Sequence, residues 1–152
     1  MGFINFIFGK KEKIDNYLFG NMLVHKNKNS IYDYFECNRN FLPINKNIEI
    51  GLDGKLDNSF ENHIQFYKKI EKNYPIIYNE SQRLIENEFN NWKENFKIIN
   101  FNEEFEPISI VLPNCTENLI KWEISYDSIH HADHIFTISF TEFKATDILI
   151  DG

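Results

Sequence analysis

One short stretch of the chain concentrates side chains that bind metals: His130, His131, Asp133 and His134. Imidazole nitrogens and a carboxylate suit zinc or another transition metal. On a helical turn, His130 and His134 would also share one face. One hypothesis is therefore a small metal-dependent enzyme with His130, His131 and His134 as ligands. The alternative is a polar connection between two strands, in which the three histidines are solvated.

Other chemistry-bearing groups give weaker signals. Glu103, Glu104 and Glu106 precede a strand, and Asp147 and Asp151 flank another. Paired carboxylates can do acid–base work if the fold brings them into one cleft, but an acidic run before a strand is typical of a solvated loop. The sequence has no glycine-rich phosphate loop, no GxSxG elbow and no HExxH helix. No catalytic residue and no cofactor other than the alternative metal is therefore predicted.

Composition indicates one folded domain spanning residues 1–152. The hydrophobic fraction is 42% and the chain has 15 phenylalanines, which is too apolar and aromatic for a disordered chain. The formal net charge is −7. Because affinity for nucleic acid rests on lysine and arginine, this charge argues against a nucleic-acid partner and favours a basic protein partner.

The cysteine count is typical of a reducing compartment. Cys37 and Cys115 lie far apart in the sequence, and neither belongs to a CxxC pair. We expect two buried structural thiols. Whether they lie close together, as one disulfide would require, is open at this point.

In a secretory signal, positively charged residues precede the apolar run. Here the order is reversed, because the apolar segment Met1–Phe8 comes before Lys10, Lys11 and Lys13. The apolar run is also too short to span a bilayer. We therefore expect a cytoplasmic protein with no membrane partner. We expect Phe3–Phe8 to dock on the domain or to be buried in a homo-oligomer.

Helices are predicted in the middle of the chain. Asn58 and Glu61 have the spacing of a capping box, and apolar residues then recur every three or four positions until Pro75, which ends or kinks the helix. A second, longer helix follows as far as Phe96, with Phe89 and Trp92 as core anchors.

Strands are predicted on both sides of these helices. Apolar and polar residues alternate with a period of two in several segments, which is typical of half-buried strands. The segments are 18–25, 31–35, 47–52, 108–112, 120–126, 135–140 and 145–150. Since strands flank a helical middle without a repeating βα rhythm, we predict an α+β domain. Its antiparallel sheet would carry a long central helical segment, of one or two helices, on one face.

Four short motifs and their order along the chain resemble small bacterial proteins, some of which look like immunity proteins of polymorphic toxin systems. The motifs are Phe8-Gly9-Lys10, Asn91-Trp92-Lys93, Trp122-Glu123-Ile124 and Ile148-Leu149-Ile150-Asp151-Gly152. The resemblance implies a protein that neutralises a toxin by covering its active surface, and it carries no catalytic residues.

These observations give a leading hypothesis and two alternatives. The leading one is a cytoplasmic, immunity-type protein that binds a basic partner. The alternatives are the metal-dependent enzyme that uses the histidine stretch and a homo-oligomeric structural or adaptor protein that buries Phe3–Phe8.

Overall fold

The computed structural model describes residues 12–56, 59–92 and 95–152. The predictions for Phe3–Phe8 and for Lys10 and Lys11 lie outside this range. The strands are β1 (Glu12–Asn16), β2 (Gly20–His25), β3 (Asp33–Phe41), β4 (Lys46–Gly54), β5 (Phe105–Leu112), β6 (Lys121–Ser128), β7 (Ile135–Thr141) and β8 (Lys144–Asp151). The helices are α1 (Glu61–Lys72), α2 (Tyr74–Asn90) and the short α3 (Phe101–Glu104).

The eight strands form one sheet in chain order, so the fold is a strand-dominated α+β domain. Neighbouring strands are antiparallel except β4 and β5, which pair in parallel from Glu49 opposite Ser109 to Leu52 opposite Leu112. The prediction of a purely antiparallel sheet is wrong at this pair. Since α1 and α2 carry the chain back across the sheet between β4 and β5, the two strands run in the same direction.

The two long helices pack on one face of the sheet. The ring of Phe66 on α1 lies 6.0 Å from that of Trp122, and Phe89 on α2 stacks 5.6 Å from Phe136. Between these contacts, the buried Ser81 hydroxyl lies 3.1 Å from that of Tyr126. The same face carries the buried strand residues Phe35, Cys37, Ile48, Ile50, Leu52, Ile110, Leu112, Ile124, Ile138 and Phe140.

The break between α1 and α2 falls where proline predicts it. Pro75 lies in the first turn of α2. Amides in the first turn have no acceptor within the helix, so proline costs no helical hydrogen bond there. Asn73 separates the helices and donates its backbone amide to the Lys69 carbonyl. Helix α1 itself begins later than the capping box predicts. Its N-cap is Phe60 in a left-handed conformation, with φ 60°, and Asn58 lies outside the described residues.

Helix α2 is shorter than predicted, because the chain turns after Asn90. The Asn90 side-chain oxygen accepts a hydrogen bond from the Phe96 amide at 3.0 Å, which competes with a further helical turn. Phe96 then stacks on Phe89, with ring centroids 4.2 Å apart. Phe89 is buried as predicted, but Trp92 is 56% exposed, so the prediction of Trp92 as a core anchor is wrong.

Most other strand predictions are confirmed in position. Strands β4, β5, β7 and β8 each contain the segment predicted for them, and β6 begins one residue later than predicted, at Lys121. Strand β1 was not predicted, and it pairs with β2 along its whole length. Strand β3 starts later than predicted and runs on to Phe41, two residues before Pro43.

Candidate functional site

The three clustered histidines lie in or beside the connection from β6 to β7, as predicted, but they point to different partners. The His130 Nε2 atom lies 2.7 Å from the Glu104 Oε1 atom. The His131 ring stacks on Phe89 with centroids 5.4 Å apart, and it meets the His134 ring edge-on at 5.6 Å. Asp133 is exposed. The connection is therefore tied to the domain by His130 and His131.

Glu104 is the group that holds this connection in place. Its Oε2 atom accepts hydrogen bonds from the backbone amides of Ile99 at 2.8 Å and Asn100 at 2.7 Å, while Oε1 meets His130. Burial alone would raise the pKa of Glu104, but the bonds from Asn100, His130 and Ile99 outweigh it, so that the pKa is lowered. The prediction of a solvated acidic loop is wrong for Glu104, whose side chain is only 11% exposed.

The metal hypothesis is not tested by this arrangement. Within residues 12–56, 59–92 and 95–152, no three histidine, cysteine, aspartate or glutamate side chains are placed to hold one ion. The His130–Glu104 pair does resemble the carboxylate–histidine pairs that orient metal ligands. A zinc site at His130, His131 and His134 stays a prediction.

Both cysteines are free and buried. Burial raises the pKa of the Cys37 thiol to about 11 and that of the Cys115 thiol to about 12. The Arg39 guanidinium opposes this rise in the pKa of Cys37 and the Glu36 carboxylate adds to it, and the Glu142 carboxylate adds to the rise in the pKa of Cys115. Since the thiolate is the reactive form, neither cysteine has the environment of a nucleophile.

We therefore expect both thiols to react slowly with a disulfide reagent in the native protein and fast after unfolding. The measurement is a time course with Ellman's reagent near neutral pH, with and without denaturant. A thiol that reacts in the native state as fast as a free cysteine would contradict the buried, protonated environment of Cys37 and Cys115.

The sheet face opposite α1 and α2, here called the open face, is strongly acidic. Its side chains alternate with the core residues along each strand, and strand register places them in rows across the sheet. Among the described residues, Lys13 and Lys121 lie on it, Lys144 at its margin is bound to Glu80, and the Lys46 ammonium lies 3.0 Å from the Glu106 carboxylate. Its carboxylates are Asp15, Glu36, Glu49, Asp53, Glu106, Glu123, Asp127, Asp147 and Asp151.

Three of these carboxylates extend across the open face from the middle of the sheet to its β8 edge. Glu49 on β4, Glu123 on β6 and Asp147 on β8 are all exposed. In the part of the chain that the structure describes, none of the three has an ion pair. Serine and threonine side chains lie between them, and the Ser125 and Thr137 hydroxyls are 2.8 Å apart. The surface therefore combines unneutralised negative charge with short, ordered polar groups.

A tyrosine lies flat in this acidic region. A Cβ atom on Gly51 would overlap the Tyr34 hydroxyl, so only glycine leaves room for the ring at this position. Burial raises the pKa of Tyr34, and the carboxylates of Glu49, Glu36 and Asp53 raise it further. The Tyr34 hydroxyl thus stays protonated and can donate a hydrogen bond from within the negative field.

A shallow depression of about 370 Å³ lies on the open face, and Asp53, the register partner of Tyr34, lines it. Asp53 and Glu123 contribute carboxylates to its wall, and Val111 and Pro113 contribute apolar surface. Lys121 and the hydroxyls of Ser139, Thr141 and Thr146 also line it. A side chain with an apolar stem and a cationic end matches this lining.

Comparison of the chain with family models, with curated proteins and with solved structures gives no match. Among the described helices, none is both long and apolar enough to cross a membrane. The resemblance to immunity proteins, the basic partner and the homo-oligomer all stay predictions.

Sequence reasoning missed both the Glu104–His130 pair and the open face as a unit. Glu104 and His130 are 26 residues apart, and no local pattern joins them. The open face did leave a signal, because Glu49 and Glu123 alternate with core residues in their strands. Only the register of all the strands brings such residues together into one surface.

Proposed function

We propose that this chain is an immunity-type protein-binding domain that covers the functional surface of a basic protein with its open face. The observation that carries the proposal is the placement of Glu49, Glu123 and Asp147 on one exposed sheet face without ion pairs among the described residues. Charge complementarity of this kind speeds association and selects the partner.

The shape of the surface supports the same proposal. The open face is formed by strands whose backbone groups are already paired within the sheet, so it offers a rigid surface that loses little entropy on binding. The depression beside Asp53 and Glu123 can receive one lysine or arginine side chain of the partner. The same negative charge disfavours nucleic acid.

The test begins with an affinity pull-down of the tagged protein from a lysate of its own source at low salt. The expected result is one stoichiometric, basic protein that salt releases and whose toxic activity disappears when the two are mixed. An active partner in the purified complex, or no salt-released basic protein, would overturn the proposal.

A metal-dependent activity is a second proposal, favoured by the Glu104 carboxylate beside His130. It predicts that zinc raises the melting temperature of the protein and that changing His130, His131 and His134 to alanine abolishes the increase. An unchanged melting temperature in the presence of added zinc would contradict this second proposal. Glu117→Ala is the matched control, because Glu117 is an exposed carboxylate in the β5–β6 connection, outside the histidine stretch.

A further inference from the structure

A second cavity, here called the aromatic pocket, lies between the end of α2 and the β6–β7 connection. Its volume is about 360 Å³, within the usual size of small-molecule sites. Its lining residues within 12–56, 59–92 and 95–152 are Phe89, Trp92, Phe96, His130 and His131, each of which carries an aromatic ring.

Most of the pocket wall is held rigidly. Phe89 is buried between Phe96 and Phe136, with ring centroids 4.2 and 5.6 Å away. The Phe96 edge meets the His130 ring at 5.1 Å, and Glu104 fixes that ring from behind. The walls are therefore in place before any ligand arrives, which lowers the entropy cost of binding.

Trp92 is the exception, because it contributes to the wall while remaining 56% exposed. Its ring centroid lies 5.6 Å from that of Phe89, at a tilted angle. The indole therefore adds exposed aromatic surface to the wall of a cavity whose other rings are packed in place.

The chemistry of the lining selects the charge of the ligand. The faces of aromatic rings carry negative electrostatic potential, and tryptophan attracts cations most strongly. The Glu104 carboxylate adds negative charge behind His130. Within the described residues, no lysine or arginine lines the pocket. A cation therefore meets no lysine or arginine charge from these described lining residues.

We infer that the aromatic pocket binds an organic cation, either a quaternary ammonium ion or a methylated lysine side chain of a protein. Both sources present a positive charge surrounded by methyl groups, which aromatic side chains such as the exposed Trp92 attract. The site is distinct from the open face, since its residues lie on α2, after α2 and in the β6–β7 connection.

Calorimetry on the full chain tests the inference with choline and its neutral isostere, 3,3-dimethylbutan-1-ol. Choline is expected to bind about tenfold more tightly, because cation–π attraction in a partly desolvated site contributes about 1.4 kcal/mol. Equal binding of the two, or no saturable binding of choline at millimolar concentration, overturns the inference. Trimethyl-lysine within a short peptide separates the two sources, since tighter binding than choline assigns a protein side chain and weaker binding a free ammonium ion.

Variants at Trp92 give the structural control. Trp92→Ala is expected to lose choline binding by about tenfold, and Trp92→Phe to retain most of it. Because Trp92 is exposed, both variants should keep the wild-type melting temperature. The other tryptophan, Trp122, is buried at 2% exposure, so choline should change the fluorescence of Trp92 alone. Full choline binding by Trp92→Ala would overturn the assignment of the pocket.

Discussion

Changing Glu49, Glu123 and Asp147 together to lysine is expected to weaken binding of the basic partner by about two orders of magnitude. The three side chains are exposed and spread across the open face, so the variant places positive charge opposite the cations of the partner. Like charges brought together at an interface cost several kcal/mol, and about 3 kcal/mol corresponds to this loss. The measurement is the dissociation constant of the purified complex at low salt.

The matched control changes Glu88, Glu103 and Glu117 to lysine. These residues lie on α2, on α3 and in the β5–β6 connection, outside the open face, and the two variants have the same net charge. We expect the control to bind within a few-fold of wild type. If both variants lose binding equally, the total charge and not the open face determines recognition.

Replacing Glu104 with alanine is expected to lower the free energy of unfolding by about 2 to 4 kcal/mol. The substitution removes the acceptor of the Ile99 and Asn100 amides and of the His130 ring. Hydrogen bonds to a charged acceptor contribute about 1.5 to 3 kcal/mol each, and water restores a part of this at Ile99 and Asn100, which are exposed residues. Denaturant unfolding measures the loss. The neighbouring Glu103→Ala is the control, since Glu103 is exposed and should change stability by less than about 0.5 kcal/mol.

The same carboxylate predicts how stability depends on pH. The folded-state pKa of Glu104 is lowered below its ordinary 4.5, so its contribution is complete above that value. It is lost as the pH falls through the folded-state pKa. Glu104→Gln should therefore be less sensitive to acid than wild type over this range. Identical acid unfolding of the two proteins would contradict the role given to the ionised carboxylate.

The helical and strand periodicities predicted those elements that are stabilised by local burial. Strand β4 was visible because Ile48, Ile50 and Leu52 alternate with polar or small residues, and all three prove to be buried on the helix side. The break near Pro75 was predictable because the pyrrolidine ring of proline removes a backbone amide donor. Such signals depend on neighbours in the sequence, so they need no knowledge of the fold.

The missed features depend on pairs that are distant in sequence. The parallel pairing of β4 with β5 follows from how α1 and α2 cross the sheet, and the sequence of neither strand indicates it. The exposure of Trp92 follows from a side-chain hydrogen bond between Asn90 and Phe96 that ends α2 early. The candidate sites share this property, because the open face needs the register of eight strands and the aromatic pocket needs both α2 and the β6–β7 connection.

The most direct test of the open face is a methyl NMR spectrum of the protein with and without its basic partner. Leu23, Val111 and Leu149 lie on the open face, whereas Ile76 and Leu84 lie on α2. Binding through the open face predicts shifts in the first three methyl signals and unchanged signals from Ile76 and Leu84. Shifts confined to Ile76 and Leu84 would contradict the account, because the partner would then cover the helices.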